Sequence, residues 1–298
     1  MSLEIHEVNA EIVGKRLGQK LYSSRGRLLL GMGAEIGSFH YQHIKETGYR
    51  SIYILTNHCE VLDSAGHIIS DKLRASAPIM LREIYRKLQS NNKIEVSNGK
   101  KELSALADTL IQEVNIKMPS PPDIVDLKRQ EDYLYQHAID VAAYSILLGQ
   151  SMQYHQLKLF DLAISALLCD FGMISVDKEI LYKPAALDEA EFEKVKQHTI
   201  QGFQHLGRHC YFKGMVTIVA LQHHERWDGT GYPNGLSGED IHEYSQIVAL
   251  ADFFDAYTSD RPYRRLHTIQ EALAYIEENA GQQFSPRVVK HFLGFFNV

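Results

Sequence analysis

Histidines and aspartates recur through the second half of the chain at the ends and inner faces of apolar segments. His137 lies on a helical stretch, and Asp170 closes the run Ala166-Leu167-Leu168-Cys169. His198 lies on a later helix, the pair His223-His224 ends another, and Asp252 closes Ile247-Val248-Ala249-Leu250-Ala251. Imidazole and carboxylate donors together suit Fe, Mn or Zn better than Ca or Mg. Carboxylates at the ends of buried helices are costly unless a cation or hydrogen-bond donors compensate them. Adjacent helical positions point about 100° apart, so His223 and His224 are poorly placed for one ion but can serve two neighbouring ones. Abundance adds little, because ten of the 15 histidines lie from His137 onward, in slightly more than half of the chain. Spacing alone leaves two explanations open: one metal site, or separate hydrogen-bonded histidines with Asp170 as a helix cap. No compact zinc pattern decides between them.

The elements that must position these residues fall into two regions. At 298 residues the chain is long enough for two domains and for a substantial core without staples. In the first sixty residues, Arg27-Leu28-Leu29-Leu30 and Tyr49 to Leu55 read as strands, with a short helix from Phe39 to Glu46 stopped at Gly48. Helical periodicity begins after Ala77, with Ile79, Leu81, Ile84, Tyr85 and Leu88 on one face and Leu103, Leu106, Ala107, Leu110 and Ile111 on another. Pro119, Pro121 and Pro122 form the only proline cluster, and a boundary is expected there: an N-terminal α+β region over 1–120 and a helical domain over 121–298. Beyond it Val141 to Leu148, Leu162 to Leu168 and Ile247 to Ala251 read as buried helices. Glu191 to Leu206 and Thr268 to Glu278 read as amphipathic ones, with Asp188 and Thr268 as N-caps.

Lys+Arg 31 against Asp+Glu 37 gives a net charge of −6, which argues against a general nucleic-acid coat. Three cysteines make no disulfide framework. No apolar run approaches the roughly 18 residues of a transmembrane helix, and no signal peptide opens the chain. A cytoplasmic protein with no membrane insertion is expected.

The segment His223-His224-Glu225-Arg226-Trp227-Asp228-Gly229-Thr230-Gly231-Tyr232-Pro233-Asn234-Gly235-Leu236 resembles the signature of HD-GYP domains, a subgroup of the HD phosphohydrolase superfamily. So do Ile247 to Ala256 and Thr258-Ser259-Asp260-Arg261-Pro262-Tyr263-Arg264. The likeness runs from about Asp123 to the C-terminus. It implies a mainly α protein: an HD-type helical bundle preceded by a smaller α+β regulatory domain. It also implies hydrolysis of a cyclic dinucleotide, chiefly cyclic di-GMP, to a linear dinucleotide through a metal-bridging hydroxide. Carried over by position, the ligands are His137, Asp170, His198, His223, His224 and Asp252, with Asp170 bridging two divalent ions. Iron is the first expectation, with manganese or zinc as alternatives. Asp170 and Asp255 are the implied catalytic carboxylates, Asp255 orienting a ligand or a water. Arg261, Arg264 and Lys183 are the implied substrate contacts, although Arg261 and Arg264 around Pro262 also suit a solvated turn. The loop carrying Gly231, Tyr232 and Pro233 reads as a rigid turn, and by resemblance as a docking surface for a GGDEF-type diguanylate cyclase, with Trp227 and Tyr232 as anchors.

Three positions depart from the family pattern. Where the family has His-Asp-Ile-Gly-Lys, this chain has Cys169-Asp170-Phe171-Gly172-Met173. Cys169 is either a soft ligand or a buried small hydrophobe. Losing the lysine at Met173 removes a charged hydrogen bond of roughly 1.5–3 kcal/mol, or about 10- to 150-fold in rate or affinity. Tyr133 stands where some members carry a glutamate for a third metal, so two ions are expected. A working phosphodiesterase follows, or alternatively an impaired module that binds cyclic dinucleotide or a cyclase as an adaptor.

Overall fold

Aromatic and β-branched residues in the first region, and 3.6-residue periodicity after it, sort the chain into a small sheet and a large helical assembly. The computed structural model describes residues 3–23, 27–49, 51–55, 68–114, 133–181, 183, 185–259 and 267–296. Strands β1 (Leu3–Glu7) and β2 (Arg16–Leu17) are followed by the short hairpin of β3 (Leu21–Tyr22) and β4 (Leu28–Leu30), then by helix α1 (Ser38–Glu46) and strand β5 (Ser51–Leu55). The five residues of β5 form the middle of a three-stranded sheet, antiparallel to β1 on one edge and to β2 on the other. Ile52 and Ile54 are buried with Ile12, Leu17, Leu21, Ile36 and Ile44 in a small core of their own.

Helices α2 (Asp71–Leu88) and α3 (Lys93–Glu113) belong to a second, much larger core, shared with everything that follows. The buried Tyr85 shows the join: its hydroxyl donates to the Leu167 carbonyl at 2.8 Å. The proline cluster lies outside the described residues. Among those described, the two cores divide between Leu55 and Ile68, so α2 and α3 pack with the helical bundle rather than with the sheet.

The bundle continues with α4 (Tyr133–Ser151), α5 (Gln156–Leu168), a 3-10 turn over Phe171–Ser175, α6 (Lys178–Leu181) and α7 (Glu189–Gln204). A π-turn over His205–His209 leads to α8 (Met215–Gln222), and α9 (Glu243–Thr258), α10 (Ile269–Glu278) and α11 (Pro286–Leu293) complete it. The helix α4 is apolar nearly all round, as a central helix must be. Both expected N-caps form reciprocal capping boxes, Asp188 with Glu191 on α7 and Thr268 with Glu271 on α10. The protein is mainly helical, and no described helix is long and apolar enough to cross a membrane.

Candidate metal centre

Each candidate ligand is delivered by a helix whose apolar residues fix its rotation. His137 projects inward from the second turn of α4, among buried Ala138, Val141 and Ala142. Asp170 follows the end of α5, at the bend into the 3-10 turn. His198 faces inward from α7, and His223 and His224 follow the end of α8, whose final backbone bond runs from His223 N to the Val219 carbonyl. Asp252 and Asp255 come from adjacent turns of α9.

These side chains converge into two groups that share Asp170. Asp170, His198, His223 and His224 form one, and His137, Asp170 and Asp252 the other; within each group the ligand atoms lie within 4.8 Å of one another. Asp170 Oδ1 lies 3.2 Å from His198 Nε2 and 3.4 Å from His223 Nε2, while its Oδ2 lies 3.6 Å from His137 Nε2. Asp252 Oδ1 is 2.8 Å from His137 Nε2, and its Oδ2 is 4.0 Å from His224 Nδ1.

The far sides of the rings fix the tautomers. His198 Nδ1 is 2.6 Å from the Val195 carbonyl and His223 Nδ1 is 3.0 Å from that of Val219. A carbonyl only accepts, so Nδ1 carries a proton in both rings and Nε2 is the nitrogen each ring turns toward Asp170, where it donates to the carboxylate when protonated and offers a lone pair when not. Those two Nε2 atoms are 3.4 Å apart. Two ring nitrogens this close beside one carboxylate call for positive charge among them, which a proton or a divalent ion can supply. His137 is oriented likewise, with Nδ1 held by Asp255 at 2.5 Å, the carboxylate–imidazole support typical of metal sites. Tyr133 stacks on the His137 ring at 5.5 Å.

Charge agrees with geometry. Burial would raise the Asp170 carboxyl, but hydrogen bonds from His198 and His223 hold it well below the usual carboxylate range. Burial likewise opposes ionisation of Asp252, and the His137 hydrogen bond lowers it again. Burial and then the neighbouring His223 push His224 down to about 3, so that ring is neutral and free to donate its lone pair. Burial raises the Cys169 thiol and the nearby Asp170 and Asp252 raise it further, keeping it protonated. Cys169 is fully buried in the apolar core and joins neither ligand group, so it packs as a small hydrophobe.

The loop after His224 is built against this cluster. The buried Glu225 accepts from Asn234 N at 2.8 Å and Leu236 N at 3.0 Å, pinning the loop from beneath. A side chain on Gly231 would place its Cβ 2.3 Å from Arg226 N, so only glycine fits. Pro233 follows Tyr232 through a cis peptide bond. The Tyr232 ring stacks on His224 at 4.9 Å and meets Phe192 edge-on at 6.3 Å. Its aromatic face is thus engaged with the cluster rather than projected outward.

Glu225 is not among the expected site residues, and its one signal in the sequence is an acidic side chain directly after the histidine pair. Lys183, expected at the substrate, is paired with Glu191 at 2.5 Å. Arg261 and Arg264 lie outside the described residues.

Known proteins resemble the helical part of this chain. The HD domain family model matches residues 119–288. A cyclic di-GMP phosphodiesterase of Thermotoga maritima is 39% identical over 160 residues, covering 53% of this chain and 44% of that protein. A 3′3′-cGAMP-specific phosphodiesterase, number 3 of Vibrio cholerae, is 38% identical over 163 residues, covering 55% of this chain and 35% of the relative. The chain therefore spans less than half the length of these curated relatives. Among solved structures, Bd1817, an HDG"Y"P protein from Bdellovibrio bacteriovorus, superposes over 100% of both chains with a TM-score of 0.60 at 17% identity, a likeness of fold.

Proposed function

The chain belongs to the HD domain family, and on that premise we propose that it is an HD-GYP phosphodiesterase that opens a cyclic dinucleotide, cyclic di-GMP first, to a linear product. The observation that carries this is the convergence of three inward-facing imidazole Nε2 atoms on the two oxygens of one buried carboxylate, Asp170. The names of the relatives supply the substrate class. Two divalent ions, iron before manganese or zinc, would supply an acidified water and a positive field for the phosphate when bound there. His198 and His223 would hold one ion with His224, and His137 and Asp252 the other, Asp170 serving both. Asp255 acts through His137, fixing its tautomer and ring plane. Arg261 and Arg264 supply guanidinium forks for phosphate oxygens, and Lys183 contributes only on release from Glu191. The sheet region serves regulation, and a GGDEF-type cyclase would meet the 229–238 loop through Trp227.

Purified full chain supplied with Fe(II) or Mn(II) is expected to convert cyclic di-GMP to its linear dinucleotide, followed by chromatography, with 3′3′-cGAMP in parallel. Chelation should stop it. Cleavage of neither substrate above the chelated sample would refute the hydrolase.

Met173 supports a second reading, a binding module with slow turnover. The chain lacks the ammonium that would meet phosphate there, and Cys169 adds no ligand in its place. Cys169→His combined with Met173→Lys is expected to raise the rate about 10- to 150-fold if the native site is impaired. An unchanged rate alongside brisk native turnover would discard this second reading.

A further inference from the structure

A cavity of about 610 Å³ lies between the start of α3 and the turn joining α7 to α8, and none of the candidate metal ligands lines it. Its size is within the roughly 300–1,000 Å³ of small-molecule sites. Lys93, Lys100, Lys101 and Arg208 line it, and no carboxylate does. Among the described residues, Lys93, Lys101 and Arg208 have no acidic partner. Lys100 is committed to the wall: its ammonium donates to the Cys210 carbonyl at 3.0 Å and lies 4.5 Å over the Phe212 ring. His209 Nε2 bonds the Ser90 carbonyl at 2.9 Å, so the turn is clamped onto the end of α2.

Two features of that turn are unusual. It is wound as a π-turn over His205–His209, a form concentrated at functional sites. It then holds Tyr211, a non-glycine residue, in the left-handed region at φ 56°. Such strain persists only where the surroundings enforce it. Its result is an aromatic ring left 64% exposed at the rim of a cationic cavity. A cationic floor with an exposed aromatic rim matches an aromatic anion, the base stacking on the ring and the phosphate meeting the cations.

We infer that this cavity is a second nucleotide-binding site, with Tyr211 stacking the base and Lys93, Lys101 and Arg208 holding the phosphate. A nucleotide seated there bridges α3 to the connection between the helices that bring His198 and His223 to the metal centre. The site stands independently of the activity at that centre.

Calorimetry with guanosine monophosphate and with inorganic phosphate tests it on the full chain. Both probes should bind, the nucleotide more tightly, and an Asp170→Asn background should leave both affinities unchanged. Lys101→Glu with Arg208→Glu is expected to weaken both probes by roughly 10- to 100-fold. Tyr211→Ala should weaken the nucleotide by about tenfold while leaving phosphate unaffected. The altered residues are exposed, and melting curves check folding. If charge reversal disturbs it, the paired alanine variants carry the same prediction with a smaller factor. Binding that survives charge reversal, that vanishes with Asp170→Asn, or that is absent for both probes overturns the site. Equal affinity for both probes overturns the role of Tyr211 and hence the nucleotide assignment.

Discussion

Asp170→Asn is expected to remove metal from both halves of the centre at once while leaving the chain folded. One oxygen of Asp170 faces His198 and His223 and the other faces His137, so the carboxylate belongs to both groups. Asparagine keeps the shape but removes the negative charge and turns one acceptor into a donor. His198 and His223 cannot rotate to compensate, because their Nδ1 protons are committed to the carbonyls of Val195 and Val219. The new amide keeps a carbonyl oxygen to accept from a protonated Nε2 and gains an N–H to donate to an unprotonated one, so the fold survives. Elemental analysis after dialysis should find the variant nearly metal-free beside a loaded parent. Its turnover should fall by more than the roughly 10²–10³-fold that one lost electrostatic contact costs. A variant that retains the parent's metal content would show that Asp170 is not the shared ligand.

The residues of this centre were easier to find in the sequence than their supports. Asp170 and Asp252 stand at the ends of apolar runs, and a buried carboxylate with no adjacent donor signals a partner from elsewhere in the chain. The structure brings them together with His137, His198 and the histidine pair, from five segments spread over more than a hundred positions. Periodicity also located α4, α5 and α9, and the caps Asp188 and Thr268 fixed where α7 and α10 begin. What periodicity does not encode is the partner of an apolar face. The stripes of α2 and α3 precede the proline cluster and so read as part of the N-terminal region, yet they pack into the bundle, where Tyr85 meets Leu167. Backbone acceptors such as Val195 O carry no side-chain signature at all. Nor does the π-turn, whose residues His205–His209 look like a continuation of the α7 pattern.

Gly172→Ala is expected to destabilise the protein by about 3 kcal/mol or more, at the upper end of overpacking costs, because the clash is backbone against backbone. The 3-10 turn after Asp170 crosses α7 so closely that a Cβ on Gly172 would lie 1.9 Å from the His198 carbonyl oxygen and 2.8 Å from Gly202 N. No rotamer change relieves such a contact. The turn cannot retreat either, since the adjacent Phe171 is buried and its ring sits 4.9 Å from that of Tyr85. The remaining response is a shift of α7 away from the turn, which carries His198 away from Asp170. The glycine that follows Asp170 by two positions is therefore a spacing element: it lets the carboxylate and the imidazole come within 3.2 Å. Gly202 faces Gly172 across the same crossing, but a Cβ there would lie 3.2 Å from Gly172 N, so Gly202→Ala should be milder. A melting point lower by roughly 6–12 °C for Gly172→Ala, with weakened metal retention and a smaller shift for Gly202→Ala, is the expected pattern. Equal melting points and equal metal content across the three proteins would mean that the crossing does not set the ligand spacing.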